Sequence, residues 1–214
     1  MCSHYEGPTP SQLAATFGVE AAQGKLDLWP GYIGPFLRRS MNSDEVKGGE
    51  GGLEALMGSF GLIPSWSKDT KIARRTYNAR SETVGEKPSF RNAWHRAQHC
   101  IIPAAAIYEP DWRSGRAVPT RIARVDGEVM GIAGLWEEWC APGTSQVLHS
   151  YTMLTVNADS HAFMRDYHRP EDEKRMVVIL PRGLYRDWLE ASVDTSADFM
   201  RRYPADRLAV VERP

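Results

Sequence analysis

Hydrophobic positions along the chain fall into short runs that predict a protein built mainly from β-strands. The run 100–108 is almost continuously apolar, as in a strand buried on both faces. Further runs rich in β-branched, aromatic and aliphatic residues predict strands at 53–63, 118–125, 129–135, 147–156, 176–180 and 208–211.

Three other segments show the spacing of an amphipathic helix. Thr9 and Pro10 are typical of a helix N-terminus, and the helix that follows should end near Gly18. Apolar residues recur every three or four positions at 88–97 and 181–191, which predicts two further helices.

Residues 24–52 contain many glycines and turn formers, so we predict irregular structure there, with a surface loop at about 40–52. The predicted strands do not alternate regularly with helices, which argues against a doubly wound parallel sheet. We expect an α+β fold: one domain over 1–214, with a mixed or antiparallel, partly barrel-like sheet and peripheral helices.

Composition adds limits on function. The chain has 214 residues, of which 42% are hydrophobic and 25% charged, as in ordinary globular proteins. Its net charge is −1, so the overall charge does not indicate a nucleic-acid-binding protein. No apolar run approaches the roughly 20 residues of a membrane span, and the N-terminus does not resemble a signal peptide. We therefore expect a cytoplasmic protein without membrane contact.

The three cysteines are Cys2, Cys100 and Cys140. An odd number without a CxxC pair argues against a disulfide framework or a cysteine zinc site, and favours a reducing compartment. We expect Cys100 and Cys140 to be reduced and structural. Since no cluster of ligand-spaced side chains is evident, we expect neither a metal nor a cofactor.

Cys2 follows Met1 directly, and its small side chain favours removal of that methionine. The mature chain would then carry an α-amine and a thiol on one residue. Both groups are partly available as nucleophiles near neutral pH, because their reference pKa values are about 8 and about 8.5. Such an aminothiol condenses with an aldehyde to a thiazolidine ring, and it could equally attack an amide.

Other polar residues stand where strands begin or end. Asn78 could hold an amine or a carbonyl, and Arg80 a phosphate, although a turn with a salt-bridged arginine is the simpler alternative. Glu109 ends the long apolar run, where partial burial would suit it to proton transfer, unless it is a solvated strand end. His161 and His168 are both candidates for acid–base chemistry, and both could be ordinary loop histidines.

Taken together, these segments resemble one family, the SOS response-associated peptidase (SRAP) domain. The resemblance runs from residue 1 to about 190 and depends on several motifs occurring in order after a cysteine at position 2. They are Phe60-Gly61-Leu62-Ile63-Pro64-Ser65-Trp66, Tyr77-Asn78-Ala79-Arg80-Ser81-Glu82, Lys87-Pro88-Ser89-Phe90, Cys100-Ile101-Ile102-Pro103-Ala104, Tyr108-Glu109, Ala133-Gly134-Leu135-Trp136-Glu137 and Arg175-Met176.

The resemblance implies capture of abasic sites in single-stranded DNA during the DNA-damage (SOS) response, at the nucleoid. Cys2 would form a thiazolidine crosslink with the ring-opened aldehyde. By the same resemblance, Asn78 would position the amine or sugar, Glu109 would transfer protons, and His168 would assist sugar ring opening. The implied DNA contacts are Trp66, Arg74, Arg75, Arg80 and Arg175.

Several positions depart from the family pattern. Ser3 and His4 stand where the family has Gly and Arg, which removes one expected phosphate contact. His168 is separated from the Arg175-Met176 motif by residues 169–174, and we choose it over His161 because it lies nearer that motif.

Two alternatives to the crosslinking function stay open: a thiol peptidase with an N-terminal nucleophile, able to remove Met1 itself, and a non-catalytic module that binds single-stranded DNA. The sequence does not determine the oligomeric state, and a monomer is our expectation.

Overall fold

The computed structural model describes residues 2–22, 24–40 and 52–212. The strands are β1 (His4–Glu6), β2 (Asp27–Leu28), β3 (Ile33–Arg39), β4 (Leu53–Phe60), β5 (Asn78–Arg80), β6 (His99–Ala104), β7 (Ala106–Asp111), β8 (Val118–Arg124), β9 (Met130–Cys140), β10 (Val147–Asn157), β11 (Arg175–Val177), β12 (Ile179–Leu180) and β13 (Leu208–Val210). The α-helices are α1 (Pro10–Phe17), α2 (Arg91–His95), α3 (Tyr185–Glu190) and α4 (Val193–Ser196). Short 3-10 turns include Thr70–Arg75 and Met164–Asp166.

Five strands close into a barrel. β10 pairs in parallel with β4, and antiparallel pairs then link β4 to β3, β3 to β6, β6 to β9 and β9 back to β10. The inward side chains of these strands are almost fully buried and form the main core. This architecture confirms the predicted α+β fold with a mixed, partly barrel-like sheet.

A second sheet, in the order β13-β8-β7-β1-β2, carries the N-terminus of the chain. Tyr5 in β1 fastens this sheet to the barrel: its ring meets Phe60 edge-on, and its hydroxyl lies 2.5 Å from that of Tyr151. All three side chains are fully buried. The segment that begins with Cys2 is thereby held against the barrel wall.

Two motif glycines are needed for the barrel to close. Gly61 has a φ of +113°, and a Cβ there would lie 2.0 Å from the carbonyl oxygen of Ala73. Gly134 sits on β9, where a Cβ would lie 2.3 Å from Ile102 and 2.5 Å from the carbonyl oxygen of Thr152. A larger residue would therefore clash with the 3-10 turn Thr70–Arg75 at Gly61 and with neighbouring barrel strands at Gly134.

The first predicted helix is confirmed together with its cap. Thr9 accepts a hydrogen bond from the backbone of Gln12, whose side chain bonds back to Thr9, and Gly18 ends the helix with a φ of +68°. The other two helices are shorter than predicted, at Arg91–His95 and Tyr185–Glu190. The strands predicted at 53–63, 118–125, 129–135, 147–156 and 208–211 all occur, with shifted ends.

Three predictions about the strands were wrong. The segment 24–52 is not wholly irregular, because Ile33–Arg39 is a barrel strand paired with both β4 and β6. The run 100–108 is not one strand, since it divides at Ala105 between the barrel and the second sheet. The run 176–180 likewise divides into β11 and β12, which pair with different strands. The predicted loop at 40–52 lies almost entirely outside the described residues.

A buried histidine makes the stability of this fold depend on pH. His99 lies 3.0 Å from the hydroxyl of Ser196 and stacks on Trp188. Burial lowers its pKa to about 4, against 6.5 for an ordinary histidine. The unfolded chain therefore binds the proton more tightly, and stability should fall as the pH drops from 6.5 to 4, by on the order of 3 kcal/mol.

Urea unfolding at pH 7.5, 6.5, 5.5 and 4.5 measures this effect. The variant His99→Gln, which cannot titrate, should lose part of the decline between pH 6.5 and 4.5. An equally steep decline in the variant would show that other groups cause it.

Within the described residues, no helix is both long and apolar enough to cross a membrane.

Candidate active site

Cys2 lies just before β1, at the junction of the two sheets. Its side chain is 1% exposed, and its thiol donates a hydrogen bond to the carbonyl oxygen of His4 at 3.3 Å. Strand β7 runs antiparallel beside it, with His4 opposite Tyr108. Continuing this register places the residue after Tyr108, Glu109, next to the start of the chain.

Asn78 approaches the same point from the barrel side. It is the first residue of β5, which pairs in parallel with β10. Its Nδ2 donates a hydrogen bond of 2.7 Å to the carbonyl oxygen of Cys2. Its Oδ1 is buried and has no hydrogen-bond partner among the described residues. An acceptor is thus held ready beside the nucleophile, where a buried unsatisfied oxygen is costly unless a ligand uses it.

The side chains of Glu109 and His168 form a buried pair at the site. Oε2 of Glu109 lies 3.0 Å from Nε2 of His168, and the two side chains are 1% and 9% exposed. The backbone of His168 has a φ of +66°, uncommon for a residue with a side chain, and its N–H donates to the carbonyl oxygen of Pro110 at 2.8 Å. This hydrogen bond holds the His168 segment against the end of β7.

The thiol of Cys2 is protonated at neutral pH in this setting. Burial first, and then the negative charge of Glu109, raises the pKa of the Cys2 thiol well above its usual value. The pKa of Tyr77 is raised as well, first by burial and then by its proximity to Cys2 and Glu109. Sequence reasoning did not single out Tyr77, although it directly precedes Asn78.

The structure separates the two candidate histidines. His161 bonds to the carbonyl oxygen of Tyr203 at 2.7 Å, and its other ring nitrogen accepts from the backbone N–H of Met164 at 3.0 Å. Both nitrogens therefore hold the local loop together. His168 instead faces Glu109, the carboxylate that acts on the Cys2 thiol.

Four of the predicted DNA contacts lie at the surface. Trp66 is 54% exposed, with its indole N–H bonded to the carbonyl oxygen of Pro88. Arg74 and Arg75 are exposed and form no ion pair with any described carboxylate. Arg80 is half exposed and lies 2.9 Å from Glu173. It is two residues beyond Asn78 on the same strand, so both side chains point to one face of it.

Arg175 has a different role from the predicted one. Its side chain is 2% exposed, and its guanidinium contacts both oxygens of Glu82 at 3.0 and 2.8 Å, as well as Glu173 at 2.8 Å. Partial burial acts to raise the pKa of Glu82, but the hydrogen bonds from Arg175 outweigh it and leave that pKa lowered. A guanidinium so enclosed cannot reach a phosphate, and the prediction of Arg175 as a DNA contact is corrected to a structural role.

A stack of three rings beside the site was not anticipated. The imidazole of His4 lies between the rings of Trp29 and Tyr108, each at 4.1 Å between centroids and nearly parallel. Nε2 of His4 lies 3.0 Å from Oδ1 of Asp27. His4, which replaces a family arginine, is thus built into the second sheet. Trp29 could have been noted from the sequence only as a tryptophan that precedes a Pro-Gly turn.

The remaining cysteines differ from each other. Both are free cysteines, but Cys100 is buried in the barrel, whereas Cys140 is exposed at the end of β9. Within the described residues, no group of three or more histidine, cysteine or carboxylate side chains could hold a metal ion.

Comparison with known proteins links this arrangement to one family. The model of the SOS response associated peptidase (SRAP) family matches residues 1–212. The "Abasic site processing protein YoaM" of Bacillus subtilis is 37% identical over 145 residues, covering 66% of this chain and 59% of that protein. The "Abasic site processing protein HMCES" of Xenopus tropicalis is 28% identical over 152 residues, covering 61% and 43%. The match therefore covers about three-fifths of the length of the first relative and less than half of the second.

A solved structure extends the similarity to the whole fold. A crystal structure of a protein from Bordetella bronchiseptica superposes with a TM-score of 0.87 at 47% identity, covering 99% of this chain and all of that one. The barrel, the second sheet and the placement of the N-terminus therefore belong to a shared architecture.

Proposed function

We propose, from the premise that the chain belongs to the SOS response associated peptidase (SRAP) family, that it processes abasic sites by forming a covalent crosslink through Cys2 to single-stranded DNA. The observation that carries the proposal is the set of groups around one buried thiol: Asn78 bonded to the Cys2 carbonyl, and the Glu109–His168 pair beside it. All these groups come from one chain, so the protein would act as a monomer, on nucleoid DNA in the cytoplasm.

The reaction needs the amine and the thiol of Cys2, and therefore the loss of Met1. The amine lone pair adds to the aldehyde carbon of the ring-opened sugar, and release of one water leaves a Schiff base. The sulfur then adds to the same carbon, the C=N π electrons move to the nitrogen, the thiol proton is passed to that nitrogen, and the five-membered thiazolidine closes. The reaction requires neither an oxidant nor a reductant, so it needs no cofactor.

The surrounding groups match these steps. Because burial and Glu109 keep the thiol protonated, ring closure needs a base, and the Glu109 carboxylate is close enough to raise the thiol pKa. His168, whose Nε2 lies 3.0 Å from Oε2 of Glu109, would assist opening of the sugar ring. Oδ1 of Asn78 accepts from the Cys2 amine or from a sugar hydroxyl. Outside the pocket, Trp66, Arg74, Arg75 and Arg80 would hold the flanking strand.

The site favours crosslinking over the work of a thiol peptidase. A peptidase needs a thiolate for its first step, whereas in crosslinking the amine adds first, and the raised pKa of the Cys2 thiol disfavours a thiolate. Cleavage of Met1 by the protein itself remains a secondary proposal, tested by whether a purified precursor that retains Met1 sheds it unaided.

Two measurements test the proposal. Mass spectrometry of the purified protein should show a chain that begins at Cys2. Incubation with a single-stranded oligonucleotide bearing one abasic site should yield an adduct that survives denaturing electrophoresis. An oligonucleotide with a tetrahydrofuran residue, which has neither base nor aldehyde, should give none. If protein lacking Met1 forms no adduct with the abasic strand, the proposal fails.

A further inference from the structure

We infer that Trp29 is a stacking site for the nucleobase next to the lesion, in a subsite formed by the His4 ring stack and the adjoining basic cleft. This inference deepens the proposed function and rests on it. It assigns single-stranded nucleic acid flanking the reactive sugar as the ligand of Trp29, which none of the motifs named above includes.

The position of Trp29 relative to Cys2 follows from strand register. β1 pairs antiparallel with β2, with Tyr5 opposite Leu28 and Glu6 opposite Asp27, so the next pair along is His4 with Trp29. Cys2 lies two residues before His4, roughly 7 Å along an extended chain. Trp29 is therefore paired with the residue two positions after Cys2, at the start of β1.

The ring of Trp29 is held in place but is not buried. One face lies on His4 at 4.1 Å with an angle of 11° between the planes, while 44% of the residue stays exposed. His4 is fixed in turn by Tyr108 on its other face and by Asp27 at 3.0 Å. A rigid aromatic surface that faces solvent is the usual platform for an unpaired base.

A cleft for the strand's phosphates begins directly after Trp29. The turn that starts there is closed by the N–H of Tyr32 bonding to the carbonyl oxygen of Trp29 at 2.8 Å. Beyond it lies a cleft of about 250 Å³, lined by Pro30–Ile33 and by Lys71 and Arg74 of the facing 3-10 turn. Neither Lys71 nor Arg74 forms an ion pair with a described carboxylate. Two basic side chains beside an aromatic platform form the combination that binds a single strand without sequence preference.

The test measures binding with oligonucleotides that cannot crosslink, so that its outcome does not depend on Cys2. Each carries a central tetrahydrofuran residue: one has bases on both sides, one lacks the 5′ neighbouring base, and one lacks the 3′ base. Fluorescence anisotropy gives the Kd for wild type, Trp29→Ala and Trp29→Phe. Val125→Ala, an exposed apolar residue beyond β8 toward the opposite edge of the same sheet, is the matched control.

Trp29→Ala should weaken binding of the oligonucleotide with both bases about tenfold, the size of one lost base stack. The loss should shrink to less than about twofold on one of the two oligonucleotides that lack a neighbouring base. Trp29→Phe should retain most of the affinity, and Val125→Ala all of it. Near-ultraviolet circular dichroism shows whether each variant is folded.

An equal loss on all three oligonucleotides, or no loss on any, overturns the inference. A separate crosslinking experiment distinguishes failure of this inference from failure of the proposed function. Reaction of Cys2 with deoxyribose 5-phosphate, which has no neighbouring base, should proceed at the same rate in wild type and Trp29→Ala. If the effect of Trp29→Ala depends on a neighbouring base but no Cys2 adduct forms, the proposed function fails and the stacking site is supported. If the adduct forms but the effect does not depend on a neighbouring base, only the crosslink is supported.

Discussion

Replacing Cys2 with alanine abolishes the denaturant-resistant adduct with abasic single-stranded DNA. The variant keeps an α-amine after Met1 is removed, but it has no sulfur to close the ring, so only a reversible Schiff base can form. Because a single sulfur atom is lost from a buried position, the fold should lose only about 1 kcal/mol. Denaturing electrophoresis after incubation with the abasic oligonucleotide measures the result.

Controls make this result specific. Cys140→Ala, which removes the exposed cysteine, should crosslink as wild type does. Treating the Cys2→Ala reaction with borohydride should reveal the trapped Schiff base. A stable adduct from Cys2→Ala without borohydride would refute a thiazolidine. If neither protein forms adducts but both bind the strand with steep salt dependence, the chain is a non-catalytic single-strand-binding module.

Glu109→Gln should slow adduct formation by about 10²- to 10⁴-fold, the usual contribution of a positioned acid or base. The amide preserves the size of the side chain but cannot accept the thiol proton. It also removes the negative charge that, after burial, raises the pKa of the Cys2 thiol. The two effects act in opposite directions on the rate, so the sign of the change shows which role the carboxylate has.

A quenched time course with the abasic oligonucleotide gives the rate. The matched control is Glu137→Gln. Glu137 is a second buried glutamate, which lies on β9 and pairs with Arg96. That variant should crosslink at the wild-type rate once its folding has been checked. Faster crosslinking by Glu109→Gln would contradict a proton-transfer role and leave only charge repulsion.

Arg175 shows how a motif residue can be found correctly and still be assigned the wrong role. The sequence places Glu82 and Arg175 in two separate family motifs, 93 residues apart. Only the fold shows that they pair with each other, because β5 and β11 both lie along β10. A charged residue in a motif of a DNA-binding family suggests a phosphate contact, whereas burial against two carboxylates makes it part of the scaffold.

Local patterns were sufficient where local forces decide structure. The N-cap at Thr9, the helix end near Gly18 and the apolar run of β10 depend on neighbouring residues, and all were predicted. β3 was not predicted, because its Gly34-Pro35 pair is typical of a turn. Its strand conformation comes from pairing with β4 and β6, which lie far along the chain.

The amino-acid sequence by itself determined the fold class and the family and singled out Cys2 as the candidate nucleophile, since motif order and a cysteine at position 2 need no coordinates. The tertiary structure decided which side chains meet. It placed Asn78 and Glu109 around Cys2, chose His168 over His161 as the neighbour of Glu109, enclosed Arg175 and assembled the ring stack of His4. The physical reason is that burial, pKa shifts and stacking arise from contacts between residues distant in sequence, which spacing along one chain does not record.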